Sequence, residues 1–139
     1  MLFNITHTDK EDVAEINALV GNPIGFIAAL KLRGVGSGRM IIDSVSANFQ
    51  RIIASVSDLE YGSIELRPKG IMIYVTKQME RFCWVVPYYK LVVFNDGFFS
   101  IHSDNSFIRF RKDLKFRENK KFIDKMMDLK AMKTINYFL

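Results

Sequence analysis

The chain has 139 residues, 49% of them hydrophobic and 13% aromatic, which supplies one compact core and excludes a disordered tail, a collagen-like repeat and a multidomain enzyme. Its net charge of +5 is uneven: from Arg109 onward ten basic residues stand against four acidic ones, and before it ten stand against eleven. A near-neutral body with a basic end fits a protein that meets phosphate on nucleic acid or anionic lipid, and it equally fits a solvated helix face.

A lone cysteine, Cys83, rules out an internal disulfide and a cysteine zinc cluster, so a reducing cytoplasmic setting is expected. The opening residues lack the basic and then apolar grammar of a signal peptide, and no apolar run nears the roughly 20 residues of a membrane span. The expected organisation is one domain over 1–139, mainly helical over 1–60, with an antiparallel sheet and a closing helix over 61–139.

In chain order, Thr8-Asp9-Lys10-Glu11 fits a capping box. It opens a helix from Asp9 to Val20, with Val13, Ile16, Leu19 and Val20 at helical spacing and Gly21 as its stop. Asn22-Pro23 starts a second short helix over Ile24 to Arg33, weakened by Gly25. Gly34-Val35-Gly36-Ser37-Gly38, with three glycines in five residues, reads as a flexible loop. Ile41, Val45, Phe49, Ile52, Ile53, Val56 and Leu59 recur at three and four residues and predict a helix over Met40 to Leu59. A pair of strands is the alternative, because Val45, Ala47 and Phe49 also alternate.

From Tyr61 the period is two. Ile64 and Leu66 share a face, Arg67-Pro68-Lys69-Gly70 turns the chain, and Ile71, Ile73 and Val75 line the next strand. Arg81–Val86 and Tyr88–Phe94 read as strands broken by Pro87. The Asp96-Gly97 pair predicts a tight turn with positive φ joining Leu91–Phe94 to Phe98–Ile101, and Ser103-Asp104-Asn105 turns into Phe107–Arg111. An amphipathic helix over Glu118 to Met132 places Phe122, Ile123, Met126 and Met127 on the sheet and lysines outside. The fold class expected is α+β: N-terminal helices, a strongly bent antiparallel sheet of about six strands, and a C-terminal amphipathic helix.

The order of elements over 62–132, with Trp84-Val85-Val86-Pro87-Tyr88 in mid-sheet, resembles the pleckstrin-homology-like fold of small bacterial domains. That resemblance covers about half the chain. It implies a binding module without specifying a ligand, because a fold of this kind does not carry one function.

Few residues point to chemistry. The Gly34–Arg39 stretch matches neither the dinucleotide fingerprint nor the P-loop, so it reads as a connection rather than a phosphate cradle. His102-Ser103-Asp104 and the distant His7 lack metal-ligand spacing and a nucleophile–base pattern, so no catalytic, metal or cofactor residue is expected. Cys83 and Trp84 read as core. The informative stretch is 107–117: in a strand, Arg109 and Arg111 share a face with Phe107 while Ile108 and Phe110 point away, giving two guanidinium groups suited to bidentate anion binding. Lys112, Lys120 and Lys121 would extend that face, and Arg67 and Lys69 would join it if the first hairpin turn curls alongside.

The leading functional reading is a non-enzymatic binding or scaffold domain for a protein or an anionic lipid surface, with a homodimer allowed. A nucleic-acid binder using the basic end is the first alternative, and a small hydrolase or transferase with an unrecognised site is the second.

Overall fold

A computed structural model describes residues 1–7, 9–53 and 59–138, with side chains as far as Lys133 in the last helix. The chain runs β1 (Leu2–Asn4), α1 (Lys10–Val20), α2 (Phe26–Lys31), β2 (Met40–Val45), α3 (Ala47–Ile53), β3 (Tyr61–Arg67), β4 (Gly70–Lys77), β5 (Glu80–Pro87), a 3₁₀ turn (Tyr88–Lys90), β6 (Val92–Asn95), β7 (Phe99–Ser103), β8 (Ser106–Phe110), α4 (Leu114–Glu118) and α5 (Lys120–Phe138). It is an α+β protein whose strands form one antiparallel sheet in the order β1-β5-β4-β3-β2-β8-β7-β6.

Among the described residues the sheet has eight strands rather than the expected six. One addition is β1, too short at three residues to carry a periodic signal, which pairs with β5 at the sheet edge. The other is β2, which replaces the first part of the helix expected over Met40 to Leu59; only Ala47–Ile53 is helical, and 54–58 lie outside the described residues. A bulge between Ile42 and Ser44 explains the misreading. One inserted residue shifts the alternation, so the inward residues Met40, Val45, Phe49 and Ile53 fall at intervals that imitate a helical stripe.

Other local expectations hold with changed detail. Asp9 caps α1 by accepting from the Glu11 N–H at 2.8 Å, while Thr8 lies outside the described residues. Tyr88 to Lys90 form a 3₁₀ turn rather than strand, leaving β6 only four residues. The hairpin after β6 closes through the Asp96 carboxylate accepting from the Phe98 N–H at 3.1 Å, not through positive φ. The positive-φ pair lies instead at Asp104 and Asn105, φ 49° and 65°, the geometry of a type I′ turn. The closing helix starts as α4, breaks at Asn119 and continues as α5.

The stretch read as a flexible loop is held along β3. The Leu66 N–H donates to the Val35 carbonyl, Ser37 N–H donates to the Ile64 carbonyl, and Ile64 N–H donates to Ser37 Oγ. Gly38 N–H donates to Asn119 Oδ1 at 2.8 Å.

The main core lies on the inner face of the sheet, where Ile64, Ile73, Trp84, Ile101, Ile108 and Phe110 meet α3 and the Phe116, Phe122, Ile123 and Met126 side of the closing helices. Met127 packs partly buried at its margin. A smaller core on the outer face joins α1, through Ile16 and Val20, to Phe3, Met72, Cys83 and Val85. Gly70 makes this approach possible, since a Cβ there would meet the Val86 carbonyl and lie 2.6 Å from Val20 Cγ1. No described helix is long and apolar enough to cross a membrane.

Candidate functional site

Among the described residues, no helix packs a core onto the outward side of β8, β7 and β6. Alternation sends Ile108 and Phe110 inward and leaves Phe107 and Arg109 outward. Strand register then aligns Val92 with His102 and His102 with Phe107 in one row, and Phe94 with Ser100 and Ser100 with Arg109 in the next. His102 sits within this aromatic row, edge-on to Phe94 at 4.8 Å and stacked on Phe107 at 5.2 Å between ring centres. Its Nε2 shares a hydrogen bond with Ser100 Oγ at 3.1 Å, and burial holds its pKa below the usual histidine value.

Arg109 lies over the Phe98 ring at 4.6 Å, a cation–π contact. Its Nε is 3.2 Å from Asp43 Oδ2, and Arg111 Nε is 3.8 Å from Asp43 Oδ1. Two guanidinium groups therefore share one carboxylate, which the β2 bulge turns outward, and one positive charge is left over. Two strands from β8, across β7, the open strand β6 exposes Val92 and Phe94, at 49% and 51% of their surface. No strand pairs with its outer edge among the described residues.

The remaining basic residues expected at this site lie elsewhere or act locally. Lys112 donates to the Asp96 carbonyl and so ties the end of β8 to the β6–β7 hairpin. Lys120 and Lys121 are exposed on the first turn of α5, and no hydrogen bond or ion pair among the described residues links them to Arg109 or Arg111. Arg67 is buried, 7% exposed: its Nε donates to Glu65 Oε2 at 2.6 Å, and its Nη1 donates to Asn17 Oδ1 at 2.9 Å and the Gly21 carbonyl at 2.8 Å. It joins α1 to the sheet and does not curl toward β8. Lys69 borders a separate groove with Pro68, Tyr88, Tyr89 and Lys133. Glu65 is a near neighbour on the same strand, but nothing local signals that Asn17 and Gly21, 50 and 46 residues away, claim Arg67 as well.

The His102-Ser103-Asp104 run does not converge. Asp104 Oδ2 accepts from Lys90 Nζ at 3.3 Å, and His7 lines a pocket between α1 and the sheet. A cleft of about 490 Å³ near Trp84, Phe49, Ser103 and Asp104 separates β1 and β5 from the β7–β8 turn. Trp84 is buried and meets Phe49 edge-on at 5.1 Å. Cys83 is buried, and its thiol is pushed up to about 12 by burial first and by the Glu65 charge second.

No family model matches the sequence, and no curated protein matches it. A search of solved structures matches a chain described under the structural role of the PH and C1 domains of the Vav1 exchange factor, at 12% identity and a TM-score of 0.42. The match covers 87% of this chain and 32% of that one, so this chain spans about a third of its length. At that overlap the similarity assigns neither fold family nor function.

Proposed function

We propose that the protein is a non-enzymatic binding domain that takes an extended, acidic segment of a partner protein along β6. The observation that carries this reading is the open edge strand with outward Val92 and Phe94, on the same sheet face as the surplus charge of Arg109 and Arg111 two strands away. An unpaired edge supplies backbone donors and acceptors for an added strand, and alternate side chains of that strand meet the aromatic row. An acidic segment is drawn to this end of the sheet by the surplus positive charge on β8. Catalysis draws no support from His102, whose polar partner among the described residues is Ser100 and which has no carboxylate to orient it.

The test is selection of a random displayed-peptide library on the full chain. Sequences alternating apolar and acidic residues should emerge, and Val92→Lys with Phe94→Lys should abolish their binding at unchanged thermal stability. A selection that yields no peptide, while anionic vesicles or wild-type dimers form through the same residues, would replace the partner strand by a lipid surface or a second copy.

A further inference from the structure

We infer that the part of the outward face of β3, β4 and β5 that α1 leaves open, continuing across β2 to the end of β8, is a track for single-stranded nucleic acid. It shares Arg111 with the site proposed at β6 and lies otherwise on other strands. Its centre is a groove of about 450 Å³ lined by Arg39, Leu59, Tyr61, Ser63, Tyr74, Thr76 and Arg81, with no carboxylate among the described residues of its lining. Three cations hang over two tyrosine rings there: Arg39 at 5.3 Å and Lys115 at 5.8 Å from the Tyr61 ring centre, and Arg81 at 4.5 Å from that of Tyr74. None of the three forms an ion pair among the described residues, whereas Arg67, Arg109 and Arg111 all have carboxylate partners. The Ser63 and Thr76 hydroxyls on the groove floor make no hydrogen bond among the described residues, so they are available to phosphate oxygens.

Register sets the length of the track. Thr76 lies opposite Arg81, and Ile41 lies opposite Tyr61. The Arg111 N–H donates to the Ile41 carbonyl at 3.0 Å, which puts Arg111 next along the same line. From β5 to β8 that line crosses four strand spacings, roughly 19 Å at about 4.8 Å each, longer than one phosphate can bridge. Cations tracking a backbone with aromatic rings between them are the means by which single strands are held without sequence readout, bases stacking on rings and on guanidinium planes. A duplex has its base faces stacked internally and could not use the tyrosines. Two acidic groups flank the track: Glu65 accepts from the Tyr74 hydroxyl at 3.1 Å and is engaged by Arg67, and Asp43 stands at the far end beside Arg111.

Fluorescence anisotropy of the full chain with a labelled oligouridylate of about 12 nucleotides, within the roughly 4–16 that such sites hold, tests the inference. Arg39→Ala with Arg81→Ala should weaken binding about tenfold or more and reduce the salt slope by about 1.4, since each single-strand phosphate contact contributes about 0.7. Lys10→Ala with Lys31→Ala should stay within about twofold of wild type at the same salt, as expected for exposed charges outside the track. Tyr61→Leu should weaken binding with the slope unchanged, because it removes stacking and no charge. Absence of wild-type binding at about 50 mM salt, where phosphate contacts are strong, overturns the inference. So does equal weakening by both double variants, or binding of anionic vesicles that depends on Arg39 and Arg81 while the oligonucleotide does not bind.

Discussion

Arg67 shows how a surface-looking residue becomes structural. It stands in a hairpin turn motif beside Pro68, where a cation is ordinarily solvated, yet it links Glu65, Asn17 and the Gly21 carbonyl. Arg67→Ala leaves those acceptors without their donor, and removing one member of a buried pair costs about 3–5 kcal/mol; the low end applies because Glu65 is partly exposed. Urea denaturation should therefore show a loss of about 3 kcal/mol for Arg67→Ala and less than about 0.5 kcal/mol for Lys69→Ala, an exposed neighbour. Cys83 should react with a thiol reagent at pH 8 only after unfolding, since a thiol at about 12 is thiolate to about one part in ten thousand there; rapid labelling of the native protein would contradict this. His102 is held below its ordinary pKa, so the folded state binds fewer protons than the unfolded one. Its contribution is present above about pH 6.5 and is lost as pH falls through the unfolded and then the folded value. His102→Gln should flatten the acid limb of a Tm-against-pH curve. The Arg67 environment lies beyond sequence reading because Asn17 and Gly21 are distant along the chain, whereas that of His102 is built by neighbours within one meander, Ser100, Phe94 and Phe107.

At the scale of elements, legibility followed the length of a clean pattern. The strands from Tyr61 to Phe110 and the apolar stripe Phe122, Ile123, Met126 were visible because period two and period 3.6 each persist there. Segments 40–45 and 88–90 were misread because a bulge and a proline each interrupt the period within a few residues. Of the candidate site, the shared face of Arg109, Arg111 and Phe107 was legible from alternation; the Asp43 carboxylate between the arginines was not, because the same bulge delivers it. Helix α2 is a case of weak local support, with no buried residue and with Phe26, Ile27 and Leu30 exposed. Lys125 Nζ, whose pKa burial lowers, holds its exit by donating to the Leu32 and Gly34 carbonyls, both at 2.7 Å. Lys125→Met should raise hydrogen exchange at the amides of Ala29, Leu32 and Gly34 several-fold while leaving β7 and β8 protected; unchanged exchange in α2 would show that the helix holds without it. Gly70 is the tightest junction between elements, and Gly70→Ala should lower Tm far more than Gly36→Ala, where nothing lies within 4 Å of the added methyl.

Across the whole molecule, the sheet is two meanders, β3–β4–β5 and β6–β7–β8, joined through the single strand β2. Met40 and Ile41 pair with β3, and Ile42, Ser44 and Val45 pair with β8. Each meander closes through short turns, whereas β1 reaches β5 with Leu2 opposite Trp84, and local pairing outruns distant pairing because loop closure costs entropy. Pulse-labelled exchange during refolding should thus protect 61–86 before 2–4 and 40–45; simultaneous protection would show that the sheet assembles as one unit. On the ribosome this order is inverted with respect to time of manufacture. At about 5–20 residues per second, β1 emerges roughly 4–16 s before the strand it pairs with exists, and β2 leaves well ahead of β8. The nascent chain therefore carries β1 as an orphan strand until β5 is made, while β2 finds β3 about 20 residues later and leaves only its Ile42–Val45 half waiting for β8, so slowing translation has the most to change at β1.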